Sequence, residues 1–170
     1  MTRIDYFKCS DFDEMYFTFG QPNSYGGLAC ETTIVSLTHL DSFQIAYSLV
    51  KRLGCKYEPI VDGAVFVLAT GGNRGNAADS TVKRLAQTDS LISLVMDYDL
   101  ISGNRNMKKQ FLKQWRSFCH YLVLEYSLEA FLTLIRNSSN LGFLLQEARS
   151  IYKKDLMALQ REWIESLGLE

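Results

Sequence analysis

Apolar side chains recur every three or four positions through the C-terminal half of this 170-residue chain, while the first seventy residues change period several times. Helical spacing is clearest from 43 to 53, where Phe43, Ala46, Tyr47, Leu49, Val50 and Leu53 share a face, Asp41 or Ser42 caps the start and Gly54 stops the end. The same period predicts helices over 79–98, with a break near Thr88-Asp89-Ser90, and over 106–126, 128–135 and 141–167. The last of these carries apolar residues at 141, 145, 148, 152, 156, 159, 163 and 167, which reads as one long helix with a continuous stripe. Such a stripe must dock on something: the rest of the chain, or a second copy in a homodimer.

Upstream the pattern points to strands. Residues 2–8 and 14–19 read as a strand pair around the acidic turn Ser10-Asp11-Phe12-Asp13. Residues 28–37 fit a strand on their β-branched run or a helix on their length. Residues 56–61 and 64–70 flank Asp62-Gly63, a dipeptide suited to a two-residue hairpin turn. The expectation is therefore a single α+β domain over 1–170. A small, mostly antiparallel sheet with one helix forms 1–70, and a helical part forms 77–168 and ends in a long helix.

Composition changes this picture little. The charged share is 22% and the hydrophobic share 47%, ordinary globular values. No apolar run is long enough for a membrane span, and the N-terminus lacks a signal-peptide pattern, so a cytoplasmic protein that does not touch membranes is the expectation. Cys9, Cys30, Cys55 and Cys119 form no C-x-x-C pair, and His39 and His120 have no close ligand partner, so neither metal nor cofactor is expected.

Charge is unevenly spread. Residues 64–120 carry eight bases against four acids, while the flanking thirds are both acidic. Arg105, Lys109, Lys113 and Arg116 fall on one helical face with Lys108 beside it, and no acid occurs between Asp99 and Glu125. Lys83, Arg84 and Arg74 add to the same region. This pattern predicts an electropositive surface for a nucleic acid or an acidic protein. It favours a non-enzymatic binding protein, including the inhibitor type, over a catalyst.

Two enzymatic alternatives rest on local motifs. Gly71-Gly72-Asn73-Arg74-Gly75-Asn76, between an apolar run read as a strand and a helix, has the order of a phosphate-binding loop. It matches neither the P-loop nor the dinucleotide spacing. The stretch from Gln21 to Cys30, rich in glycine and turn residues, is loosely similar to the entry of papain-like cysteine hydrolases. That resemblance implies a thiol at a helix N-terminus, with His120 or His39 as the base. Its Gln–Cys spacing is longer than that family uses, so no family residue is carried over.

Overall fold

The computed structural model describes residues 5–19, 28–29, 33–36, 41–71 and 75–168. Among them lie nine helices: α1 (Phe12–Phe19), α2 (Ser42–Arg52), α3 (Glu58–Thr70), α4 (Gly75–Gln87), α5 (Tyr98–Ser102), α6 (Arg105–Glu125), α7 (Leu128–Asn137), α8 (Leu141–Tyr152) and α9 (Leu156–Ser166). The fold is therefore helical, and the expected α+β architecture with a sheet-bearing N-terminal part is wrong. Among the described residues, strand pairing is confined to a ribbon of β1 (Asp5–Lys8), β2 (Leu28–Ala29) and β3 (Thr33–Ser36), four, two and four residues long. Even this ribbon is mixed rather than mostly antiparallel. β1 lies parallel to β3, with Asp5 opposite Thr33, and β2 lies antiparallel to it, with Leu28 opposite Val35.

Three local readings fail for identifiable reasons. Residues 14–19 form α1 because Asp11 caps it: its carboxylate accepts from the Glu14 N–H at 2.9 Å, and Glu14 reaches back to the Ser10 N–H at 2.6 Å. This reciprocal capping outweighs the strand-like alternation downstream. The supposed hairpin over 56–70 is α3, with Pro59 in its first turn, a position where the missing N–H costs nothing. Pro59 through Val65 are all buried, so α3 is apolar nearly all round and has no polar face to reveal its period.

Gly63 has a packing role in α3, not a turn role. A Cβ there would overlap the Cys119 Sγ and lie 2.9 Å from the Trp115 carbonyl oxygen, so its absence lets α3 press directly onto α6. At the end of α3, Gly71 takes a left-handed conformation (φ 59°) and closes the helix.

The long final helix is two helices. Lys153 turns left-handed (φ 58°) after α8, and Asp155 then caps α9 by accepting from the Ala158 N–H at 2.8 Å. The apolar stripe survives the break because both pieces face the same core, burying Ala148, Tyr152, Leu156, Leu159 and Trp163. Small polar caps start most helices after β3: Asp41, Asp97, Asn104, Ser127, Asn140 and Asp155 each accept from N–H groups of the first turn.

The core is organised around α6. Phe111, Trp115, Phe118, Cys119 and Leu122 are fully enclosed on one side of it. Trp115 meets Tyr57, Phe111 and Phe118 edge-on, and Phe118 meets Trp163 of α9 with ring centres 5.6 Å apart. The Trp163 indole N–H donates to the Ser117 hydroxyl at 3.0 Å, so the C-terminal stripe is covered by the chain's own α6. Ser117 in turn binds Asp79 of α4, which places α4 on a different side of α6 from α3.

Candidate functional site

α6 presents its cations in two groups. Lys108 lies beside the face that carries Arg105, Lys109 and Lys113, Arg116 lies on that face, and each reaches an acid of α3. Lys108 Nζ sits 3.1 Å from a Glu58 carboxylate oxygen. Arg116 grips Asp62 in a fork, Nε to Oδ2 at 2.7 Å and a terminal nitrogen to Oδ1 at 3.0 Å. The Tyr98 hydroxyl, together with Glu58, holds the Lys108 ammonium above its ordinary pKa. The expectation that Arg116 joins a free positive surface is therefore corrected: it neutralises an acid embedded in an apolar helix, where an unpaired carboxylate is costly.

The remaining cations stay outside such pairs. On a helical wheel Arg105, Lys109 and Lys113 fall between the side of α6 held by α3 and Ser117, which α4 holds. Arg105 and Lys109 are exposed and Lys113 half-buried. Lys83 and Arg84 are exposed on α4, which packs on α6. Among the described residues no acid pairs with any of these five. Arg74, the eighth expected contributor, lies outside the described residues.

Beside the strip opens a cleft of about 660 Å3 between α2, α3 and α6. Each helix contributes residues at one-turn intervals: Phe43, Tyr47 and Lys51 from α2, Glu58, Asp62 and Phe66 from α3, Lys108, Leu112 and Arg116 from α6. The α2–α3 connection is short, so the two helices run antiparallel, which puts Lys51, Lys56 and Glu58 at one end and Phe43 and Phe66 at the other. The Arg116 guanidinium lies 5.4 Å from the centre of the Phe66 ring, and Lys51 Nζ 5.4 Å from that of Tyr47. All three carboxylates of the cleft are engaged: Asp41 caps α2, and Glu58 and Asp62 hold Lys108 and Arg116. Lys51 and Lys56 have no acid partner among the described residues. Asp41, Phe43, Tyr47, Asp62 and Arg116 each have a further partner besides those named.

Sequence reasoning missed this cleft because its floor is α3, read as a hairpin. Two signals were present. Phe43, Tyr47 and Lys51 recur at one-turn spacing on a helix, and Asp62 stands alone in an apolar run, which demands a basic partner if the run is buried.

The enzymatic alternatives are not assembled by the described residues. Gly71 caps a helix, so the glycine segment follows α3 and not a strand, and α4 has already begun at Gly75 and Asn76. Gly72 and Asn73 lie outside the described residues, as do Cys30 and His39. His120 is half-buried within α6, and its Nε2 atom is enclosed without a hydrogen-bond partner. Burial pushes the neighbouring Cys119 thiol well above its ordinary pKa, and Cys55 up to about 11, which suppresses the nucleophilic thiolate at both. Among the described residues no His, Cys, Asp and Glu groups gather as a metal site, and no helix is long and apolar enough to cross a membrane. In comparisons with known proteins, no family model, no curated protein and no solved structure matches this chain.

Proposed function

We propose that this chain is a non-catalytic binding protein whose cationic strip, Arg105, Lys109 and Lys113 of α6, docks the acidic surface of a partner protein. The observation that carries this reading is the sorting of cations along α6. Lys108 and Arg116 are neutralised by acids of α3, while Arg105, Lys109 and Lys113 form no ion pair among the described residues. Clustered like charges repel one another and give nothing to folding, so their juxtaposition is accounted for by an external anion.

An acidic protein suits the strip better than a nucleic acid. The chain's net charge is −1, so it has no overall positive surplus with which to neutralise a long polyanion. Among the described residues, Phe143 of α8 is the only exposed large apolar residue with an aromatic ring on which an unpaired base can stack, and it is not on the strip.

Calorimetric titration with an oligo-glutamate peptide and with a DNA duplex of equal charge tests this. The peptide should bind, weaken steeply with salt, and lose its binding in the double variant Lys109→Glu/Lys113→Glu. A duplex that binds more tightly than the peptide would move the partner to the nucleic acids. Failure of both to bind would reject the reading.

A further inference from the structure

Resting on that reading, we infer that the cleft between α2, α3 and α6 receives apolar side chains from the same acidic partner, so that the ligand is a short acidic and hydrophobic peptide segment. The cleft and the strip are adjoining faces of one helix: Lys109 is three residues from Leu112 in the cleft wall and seven from Arg116, so a chain lying along α6 touches both. The cleft's volume of about 660 Å3 falls within the range of sites that enclose a ligand. Its length, set by eight residues from Lys108 to Arg116, is about 12 Å at 1.5 Å per residue, enough for two helical turns or a few extended residues.

The lining also sets the ligand's direction. Phe66 toward one end and Leu112 at mid-length offer carbon surface. At the other end Lys51 and Lys56 are cations without an acid partner among the described residues, while the acids of the cleft are already engaged. A guest carboxylate at the lysine end and a guest aromatic or leucine side chain at the phenylalanine end satisfy both. A basic or purely apolar guest leaves the lysines unanswered, and a purely acidic one leaves the carbon surface wet. Charge complementarity thus selects one occupant.

The test compares two peptides of equal length and charge on the full chain, by fluorescence anisotropy at fixed salt. In one, Glu alternates with Ser. In the other, Phe and Leu replace two Ser residues one helical turn apart. The inference expects the second peptide to bind about tenfold tighter, the increment for partial burial of one or two apolar side chains. That advantage should vanish in Leu112→Asp and shrink severalfold in Lys51→Glu/Lys56→Glu. Because Leu112→Asp can disturb folding, the lysine pair, at the cleft's edge, serves as the second variant, with circular dichroism confirming the native helix content of both.

Equal affinity for the two peptides, both lost in Lys109→Glu/Lys113→Glu, would overturn the cleft inference and leave the strip reading standing. A tenfold preference that survives Lys109→Glu/Lys113→Glu would support the cleft and reject the strip. No binding of either peptide would reject both.

Discussion

Lys108 and Lys109 are neighbours in sequence on one helix, yet they occupy opposite situations. Lys108 is tied to Glu58 and lies over the Tyr98 ring, whereas Lys109 is exposed and forms no ion pair among the described residues. The same contrast separates Arg116, forked onto Asp62, from Lys113. From Lys108 to Lys109 one residue takes a cation from the seam with α3 to the outer strip, whereas Arg116 shares the strip's face and reaches Asp62 from it. The residue type does not decide the role; the helix that faces it does. If this division is right, the seam should be sensitive to changes that leave the strip unmoved.

The largest effect is expected at Gly63, where α3 and α6 approach most closely. Gly63→Val would drive carbon into the Cys119 sulfur and, worse, into the Trp115 carbonyl, which belongs to a helix backbone and cannot rotate aside. Overpacking costs typically about 1–3 kcal/mol where side chains can adjust, so a loss of about 3–4 kcal/mol is expected here from urea unfolding. A stable Gly63→Val variant would mean that the helices do not meet at this point.

The seam should also respond to alkali. Burial raises the Cys55 thiol from 9.0 to about 11. A proton held more tightly in the folded state stabilises the fold fully below pH 9.0, the ordinary value. That contribution declines as the pH rises from there to about 11, where the folded thiol itself ionises. Two pKa units correspond to about 2–3 kcal/mol, with Cys119 acting in the same direction through its own burial. Urea midpoints measured across this window should fall in the wild type, and the decline should be shallower in Cys55→Ala. Identical slopes would place the titrating groups elsewhere.

How legible this arrangement was depended on which face of each element is wet. α2, α6 and α7 have one polar and one apolar side, and the period of their side chains located them within a few residues. α3 is enclosed on almost every side, so nothing alternates, and its Asp62-Gly63 pair mimics a turn. The break between α8 and α9 was invisible to periodicity, since both pieces dock on one core; only Asp155, a cap residue within the supposed helix, marked it. The cationic side of α6 could be read directly, but the acids that divide it could not. Glu58 and Asp62 lie more than forty residues upstream, and no local pattern announces a contact made by packing.

The finest test of the division is a matched set of charge deletions. Asp62→Ala removes the acid from the seam and leaves the Arg116 guanidinium, half-buried beside Phe66, without its fork. A fully buried pair broken this way would cost more, but Arg116 retains some access to water, so about 1–2 kcal/mol is expected. Lys109→Ala and Lys113→Ala remove charges that touch no acid, and each should change stability by no more than about 0.5 kcal/mol. Deleting Lys113 is expected to be slightly favourable within that range, because it relieves repulsion from Lys109 four residues away. Added salt sharpens the comparison: it should diminish any gain from deleting a strip lysine, since exposed charges are screened, while barely altering the Asp62→Ala loss. Equal losses at Asp62 and Lys113 would mean that the strip is built into the fold after all, and that its cations are not held out for a partner.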